Sequence, residues 1–343
     1  MKREGFQIDG TTVPPGERAI ISMPLARLYT QTDVTLPIHV LHGRRPGPTL
    51  FVSAAIHGDE LNGIDIIRRL LKLKLLDKIH GTLIAIPVVN VFGLLQNSRY
   101  LPDRRDLNRY FPGSSKGSLT GRLANFFLTQ IVSRCTHGID LHTGSNHRIN
   151  LPQIRAWLSH EETYTLATAF GAPVMINSEP KEGTLRKSVV DLDIPILLYE
   201  AGEALRFDER SIRTGVRGIL NVMRALGMLP PAKAKTPHTP SLEANQTYWV
   251  RAPHSGIHTT RAWLGAMVEK DQILSSVCDP FGKHETPIPA PTSGIIIGGT
   301  RLPLVYQGDA LFHIATIDPD APIPSYIDSF AEEGPNDDDN FFF

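Results

Sequence analysis

Apolar runs that alternate with amphipathic stretches place the strongest constraint on how this chain can fold. Residues 50–56 (LFVSAAI) and 81–89 (GTLIAIPVV) are apolar enough to be strands buried on both faces. Between them, residues 61–75 repeat apolar side chains at close to helical spacing. Strand, helix and strand in this order predict a largely parallel sheet covered by helices on both faces. Such sheets bind ligands beyond the carboxyl ends of their strands.

The same pattern continues further along the chain. Residues 118–133 and 211–226 are predicted helices, and Gly227 directly after the second is a plausible C-cap. Residues 138–142 and 194–200 are apolar runs that end in polar side chains, so both are predicted strands. The segment before residue 50 alternates β-favouring stretches with proline and glycine, which predicts strands joined by tight turns.

We expect two folded units in the chain. Residues 1–229 form the predicted α/β domain, and residues 230–244 form a proline-rich linker with few large apolar side chains. Residues 245–318 contain the pattern Ala-Pro-x-Ser-Gly twice, which indicates a pseudo-repeat of short strands and a small all-β barrel or sandwich. Residues 319–343 are acidic and are predicted to be disordered.

The charge composition argues against nucleic acid or an anionic membrane surface as a partner. Among the 343 residues, 35 are Lys or Arg and 35 are Asp or Glu, so no basic field is expected. The amino-terminal segment lacks the apolar core of a signal peptide, and no run approaches the roughly 20 apolar residues that span a bilayer. With two cysteines only, Cys135 and Cys278, the composition predicts a cytoplasmic protein that acts on a small molecule or peptide.

Metal-ligating side chains follow two of the predicted strands. His57 and Glu60 come directly after residues 50–56, and His142 ends residues 138–142. Residues three apart in a turn are neighbours, and a catalytic zinc usually has three protein ligands and one open position. Alternatively, Glu60 could simply favour a helix N-terminus and His142 could be a hydrogen-bonded core histidine. Their shared placement at strand ends favours a metal site.

A hydrolytic metal site also needs a base that takes a proton from the attacking water. Glu200 ends the predicted strand 194–200 and is the candidate for this role. The alternative is an ordinary solvated carboxylate at a strand end, and in that case Glu203 competes with it. Three predicted strands therefore deliver His57, His142 and Glu200 to one edge of the sheet.

The segment 98–113 is unusually rich in arginine. A guanidinium group can bind a carboxylate through two hydrogen bonds or stabilise an oxyanion. A solvated basic loop is the alternative, and it is adequate for Arg104. Asn108 and Arg109 have the apolar neighbours Leu107 and Tyr110, which favours a binding role for this pair.

Four motifs resemble the succinylglutamate desuccinylase/aspartoacylase family, whose members are relatives of the zinc carboxypeptidases. They are residues 57–60 (HGDE), 106–109 (DLNR), 140–144 (DLHTG) and 200–202 (EAG), in the order seen in that family. The resemblance covers roughly residues 1–228. It implies an α/β fold, namely a carboxypeptidase-like α/β/α sandwich with a mixed, largely parallel sheet, and a small C-terminal all-β barrel-sandwich domain follows it.

The resemblance also implies roles for individual residues. One zinc ion per chain is expected on His57, Glu60 and His142, with Glu200 as general base and later general acid.

Asn108 and Arg109 match the motif that binds the free carboxylate of the substrate. Arg99 is the choice for the arginine that polarises the scissile carbonyl, with Arg105 as its rival. Arg186 is a further candidate for substrate contact.

The leading hypothesis is therefore a zinc-dependent amidohydrolase that deacylates an N-acyl amino acid. A zinc carboxypeptidase that acts on peptides or cell-wall fragments is the alternative, followed by a non-catalytic protein that binds carboxylates.

Residues after 245 also resemble the halves of biotinyl and lipoyl carrier domains, but the Met-Lys attachment hairpin is missing. A cap or a module for homo-oligomerisation is expected instead. His254 and His258 are interpreted as surface strand histidines in preference to a second metal pair.

Overall fold

A mixed sheet, thirteen-stranded within the described residues, forms the centre of the molecule. The computed structural model describes residues 3–232 and 240–318, together with residues 321 and 327. The strands up to the predicted linker are β1 (Phe6–Ile8), β2 (Thr11–Val13), β3 (Glu17–Arg27), β4 (Asp33–His42), β5 (Arg45–Ala54), β6 (His80–Ile86), β7 (His137–Gly144), β8 (Arg148–Ala156), β9 (Val174–Asn177) and β10 (Ile196–Glu203). Those that follow are β11 (Leu242–Ala244), β12 (Gln246–Arg251), β13 (Gly256–Thr260), β14 (Met267–Val268), β15 (Ile273–Cys278), β16 (Thr286–Pro289), β17 (Gly294–Thr300), β18 (Leu304–Val305) and β19 (Ala310–Thr316).

Helices cover both faces of this sheet. The α-helices are α1 (Asn62–Leu71), α2 (Val91–Leu95), α3 (Leu119–Gln130), α4 (Glu161–Phe170), α5 (Leu185–Val190) and α6 (Glu209–Ala225). Short 3-10 helices span Lys74–Lys78, Leu107–Arg109 and Val132–Arg134. The cores that form on the two faces are distinct: α1, α4 and α6 contribute to one, and α3 and α5 contribute to the other. The predicted layering of helix, sheet and helix is confirmed.

The sheet is more mixed than the sequence predicts. Its main path runs β12-β19-β17-β8-β10-β7-β5-β6-β4-β3. Only the central strands β6, β5, β7 and β10 are parallel neighbours along this path, and the pairs on either side of them are antiparallel. The difference arises because the hairpin of β3 and β4 and the C-terminal strands extend the sheet at its two edges. The more specific likeness to carboxypeptidases stays a prediction.

The C-terminal region is all-β and is continuous with the large sheet. Strand β17 pairs with β8 in the register Gly298↔Asn150, and β19 and β12 continue outward from it. Four other strands, β13, β15, β16 and β18, form a second sheet. Strand β11, which lies within the predicted linker, pairs with β9. Residues 233–239 of that linker and most of the predicted acidic tail lie outside the described residues.

No helix among the described residues is both long enough and apolar enough to cross a bilayer.

Candidate active site

The parallel centre of the sheet brings the predicted site residues to one edge. His57 follows β5, His142 lies near the end of β7, and Glu200 lies in β10. These strands are neighbours, and the register places Glu200 directly opposite His142. All three side chains line one cavity of about 700 Å³. The sheet edge predicted from the sequence is therefore where these groups meet.

His57, Glu60 and His142 form a compact, buried cluster. The Nδ1 atom of His57 lies 2.7 Å from Oε1 of Glu60, and the Nδ1 atom of His142 lies 2.7 Å from Oε2 of the same carboxylate. One potential ligand atom from each residue falls within 4.8 Å of the others. Two imidazole nitrogens and a carboxylate oxygen at this spacing fit the donor set of a zinc ion. Within the described part of the chain, no second group of three such side chains lies this close together.

Carboxylates hold the far nitrogen of each histidine. The Nε2 atom of His57 lies 3.1 Å from Oδ1 of Asp106, and Nε2 of His142 lies 2.8 Å from Oδ2 of Asp140. Ser53 Oγ in turn donates to Asp140 Oδ1 at 2.7 Å. When Nε2–H donates to a carboxylate, the lone pair on Nδ1 is free for a metal and the ring orientation is fixed.

The sequence analysis assigned no role to Asp106 or Asp140, although both lie in the recognised motifs. A signal existed for Asp140: it precedes His142 by two residues on one strand, so both side chains lie on the same face.

The electrostatics of the cluster favour a bound cation. Burial opposes protonation of His142, but Asp140 and Glu60 outweigh it and raise its pKa well above its usual range. The pKa of His57 is raised against burial by Glu60 and Asp106. Burial also opposes ionisation of Glu60, yet the two histidines lower its pKa. This balance of charges suits a positive ion at the centre.

Arg99 reaches the cluster from the segment rich in arginine. Its Nη2 donates to Asp106 Oδ2 at 2.9 Å, and its Nη1 lies 3.4 Å from Glu60 Oε1. Its rival Arg105 is exposed, lies 5.3 Å over the ring of Tyr110 and does not line the cavity. Of the two candidates, only Arg99 lies where it can contact a bound substrate.

Glu200 lines the cavity, and its competitor Glu203 does not. The Oε2 atom of Glu200 lies 2.7 Å from Nε of Arg155 and 3.3 Å from Nε2 of Gln153. Both partners come from β8, whose antiparallel register places Gln153 opposite Glu200. These contacts fix the orientation of the Glu200 carboxylate. The sequence analysis did not identify either partner, because β8 carries none of the recognised motifs.

Comparison with known proteins identifies the family. The model of the succinylglutamate desuccinylase/aspartoacylase catalytic domain matches residues 46–226, more than half of the chain. The chain belongs to this family. The resemblance drawn from the four motifs is confirmed, and the protein is a hydrolase of amide bonds.

Relatives match nearly the whole chain. The N-alpha-acetyl-L-2,4-diaminobutyric acid deacetylase of Halomonas elongata is 25% identical over 326 residues, which cover 91% of this chain and 93% of the relative. The crystal structure of succinylglutamatedesuccinylase/aspartoacylase from Rhodobacter sphaeroides has a TM-score of 0.79 at 25% identity, covering 88% of this chain and 96% of that one. The product-bound ectoine utilization protein EutE (DoeB) from Ruegeria pomeroyi shares the fold, with a TM-score of 0.78 at 23% identity over 88% and 95% of the chains.

In this family member, the motif DLNR forms a short 3-10 helix beside the cavity. Asn108 is buried, and its Oδ1 accepts the backbone N–H of Leu185 at 2.9 Å. Arg109 is exposed and donates to the backbone oxygen of Asn108 at 2.6 Å. Both residues line the large cavity and also a smaller pocket of about 160 Å³ beside it.

Arg186 lines this smaller pocket and not the large cavity. Its Nη2 donates to Ser178 Oγ and to the backbone oxygen of Glu179, both at 3.1 Å. Burial lowers its pKa to about 10, so the guanidinium stays charged near neutral pH. Its Nη1 is buried and has no partner among the described residues.

The C-terminal region supplies residues that the sequence analysis missed. Trp249, Leu302, Leu304 and His313 line the large cavity together with the family motifs. They could not be found from the sequence, because only the pairing of β17 with β8 brings them there.

The interpretation of His254 and His258 as surface strand histidines is wrong, because His254 is half-buried in the turn between β12 and β13 and His258 is buried within β13. His254 contacts Thr286 with Nε2 to Oγ1 at 2.9 Å, whereas His258 is buried and does not lie at the surface.

Proposed function

We propose that the protein is a zinc-dependent amidohydrolase that cleaves the amide bond of an N-acyl amino acid. The observation that carries this proposal is the convergence of three metal-ligating side chains, a fixed glutamate and a carboxylate-binding pair in one cavity. Family membership supports the reaction class. The relative from Halomonas elongata is named for the deacetylation of an N-acetylated amino acid, which supports the substrate class.

His57 and His142 would hold the zinc ion through Nδ1, and Glu60 would hold it through its carboxylate. When bound, zinc supplies a Lewis acid and lowers the pKa of water. Asp106 and Asp140 keep the two imidazole rings in the orientation that this requires.

Glu200 takes the proton of the attacking water and later gives it to the leaving amine. Arg155 and Gln153 hold the carboxylate of Glu200 in the orientation for this transfer. The guanidinium of Arg99 stabilises the negative charge that develops on the acyl oxygen.

Asn108 and Arg109 orient the free carboxylate of the amino acid, as the matching motif of the family implies. Arg186 offers a second cationic contact from the adjoining pocket, since its buried Nη1 has no partner among the described residues. An arginine in this state suits a carboxylate group of the substrate. Arg105 does not line either pocket and is placed outside the binding site in this proposal.

Metal analysis and turnover of a panel of N-acyl amino acids test this function. We expect one zinc ion per chain and hydrolysis of at least one substrate. Glu200→Gln should keep the zinc and lose about 10²-fold to 10⁴-fold in kcat, because the base lies outside the ligand set. Glu203→Gln is the matched control and should keep its activity.

A protein that binds no zinc, or a Glu200→Gln variant with full activity, would contradict the proposal. Turnover of peptides with a free C-terminus, without turnover of N-acyl amino acids, would support the carboxypeptidase alternative instead.

A further inference from the structure

One wall of the active-site cavity comes from the C-terminal strands and differs in chemistry from the rest. This wall is lined by Trp249 on β12, by Leu302 after β17 and by Leu304 on β18. They are 41%, 42% and 69% exposed, although all three are large and apolar. Large apolar side chains that face a cavity mark a surface that an apolar ligand group can cover.

The C-terminal residues of this wall include no lysine or arginine, but Arg148 of β8 lines the same cavity and its guanidinium lies 5.8 Å over the Trp249 ring. His313 is buried there, and burial lowers its pKa to about 3, so its ring is neutral at working pH. Trp249 stacks on that ring at a centroid distance of 4.0 Å and an interplanar angle of 4°. Asp309 is the one carboxylate of the wall, and its Oδ2 accepts the backbone N–H of Tyr306. The exposed edges of Trp249, Leu302 and Leu304 therefore suit the apolar part of an acyl group.

The arrangement of the two pockets indicates which part of the substrate faces this wall. Asn108, Arg109 and Arg155 line both pockets, whereas Trp249 and the other C-terminal residues line only the large one. The amino acid carboxylate bound by Asn108 and Arg109 thus lies at the end shared by the two pockets. The acyl group, on the other side of the scissile amide, points away from that end and toward the C-terminal wall.

The cavity is also larger than an acetyl group requires. Its volume of about 700 Å³ lies within the roughly 300–1,000 Å³ of sites that enclose drug-sized ligands. We propose that Trp249, Leu302 and Leu304 form an acyl-group subsite that makes the enzyme prefer uncharged acyl groups larger than acetyl. This inference rests on the proposed function and names its substrate class.

A comparison of acyl groups on the same amino acid tests the subsite. Glutamate, aspartate and 2,4-diaminobutyrate would each carry an acetyl, a hexanoyl or a succinyl group, and kcat/KM would be measured for the zinc-loaded enzyme. We expect hexanoyl to exceed acetyl by at least about tenfold on the preferred amino acid, since each methylene in an apolar pocket contributes discrimination. Succinyl should be a poorer substrate than hexanoyl, because its charged end would lie against the apolar side chains of Leu302 and Leu304.

Best turnover of the acetyl or the succinyl substrate would overturn the inference and leave the proposed function intact. If none of the nine compounds is hydrolysed, the proposed function fails instead.

Variants of the wall provide the second test. Trp249→Ala and Leu304→Ala should each lower kcat/KM for the hexanoyl substrate about tenfold more than for the acetyl substrate. Trp263→Ala is a matched control, because Trp263 is 42% exposed in the same region and does not line the cavity. Its hexanoyl-to-acetyl ratio should equal that of the wild type. Leu304 is mostly exposed, so its variant should fold even if the Trp249 variant does not. Equal losses on both substrates would contradict the subsite.

Discussion

At the scale of single residues, the groups behind the metal-ligating histidines matter as much as the histidines themselves. Asp106 and Asp140 hold the two Nε2 atoms, and they come from different motifs, DLNR and DLHTG. The motif DLNR therefore serves two purposes: its aspartate orients His57, and its asparagine and arginine line the substrate cavity. The resemblance implied only the second purpose, since a motif does not reveal which ring nitrogen its carboxylate will meet.

Asp140→Asn should weaken zinc binding by about 10-fold to 100-fold. The asparagine oxygen can still accept the hydrogen bond from His142 Nε2, but its negative charge, which increases the basicity of the ring, is lost. Competition with a chromophoric chelator measures the affinity. Asp103→Asn is the control, because Asp103 bonds Thr120 and lies outside the cluster, so its variant should bind zinc like the wild type. Equal affinity of Asp140→Asn and wild type would show that the Asp140 charge is unimportant.

His313 should make stability depend on pH. Burial lowers the pKa of His313 to about 3, against 6.5 ordinarily. At pH values between these two, the unfolded chain binds a proton on this ring and the folded chain does not. Its contribution to stability is present above pH 6.5 and is lost as the pH falls toward 3. Urea unfolding at pH 7.5 and pH 5 measures this effect. The wild type should lose about 1–2 kcal/mol more than His313→Gln between these values. The same pH dependence in both proteins would contradict this assignment.

At the scale of elements, close contact between two backbones positions the loop that carries His57 and Glu60. A Cβ atom added at Gly58 would collide with the backbone of Gly93 in α2, and nothing flexible lies there to move aside. The loop after β5 can approach α2 this closely only because residue 58 is glycine. This explains why the motif HGDE has glycine at its second position.

Gly58→Ala should therefore disturb both folding and metal binding. We expect a loss of about 1–3 kcal/mol in the free energy of unfolding, because backbone atoms must shift, and weaker zinc binding, because His57 and Glu60 move with the loop. Urea unfolding and chelator competition measure the two effects. Gly121→Ala in α3 is the control: its added Cβ would lie 3.6 Å from its nearest neighbour, Ser118 Oγ, and alanine there should stabilise the helix by about 0.5–1 kcal/mol. A neutral effect of Gly58→Ala would show that the loop tolerates displacement.

Most strands and helices of the large sheet could be predicted from the sequence, but strand β8 could not. The predicted helix 211–226 differs from α6 (Glu209–Ala225) by two residues at its start and one at its end, since its apolar side chains recur at helical spacing. Strands β7 and β10 were likewise found, because each is largely buried and contains an apolar stretch that ends in polar side chains. Strand β8 has polar or charged residues along its whole length, from Arg148 to Arg155, and shows no such pattern. Its partners Gln153 and Arg155 for Glu200 were missed for that reason.

At the scale of the whole molecule, the C-terminal region is part of the same sheet as the catalytic residues. The predicted boundary between the two units follows from composition, and composition does not reveal that strands on either side of a linker will pair. One apolar core contains Leu151 and Val174 from before the linker, Leu242 from within it, and Ile295 and Ile297 from after it. This shared core explains how C-terminal side chains come to lie in the active-site cavity.

We therefore expect the catalytic and C-terminal regions to unfold in one transition. Leu151 and Ile297 adjoin the paired residues Asn150 and Gly298 and belong to one apolar core, so their contributions to stability should be coupled. Leu151→Ala should cost about 2–5 kcal/mol and Ile297→Val about 0.5–1.5 kcal/mol, and the double variant should differ from their sum by about 0.5 kcal/mol or more. Ile288→Val is the matched control, since Ile288 belongs to a separate core within the C-terminal region, and its effect should add to that of Leu151→Ala within about 0.5 kcal/mol. Urea unfolding followed by circular dichroism measures all five variants. Two separate transitions, or additive effects of Leu151→Ala and Ile297→Val, would show that the two regions fold independently despite their common sheet.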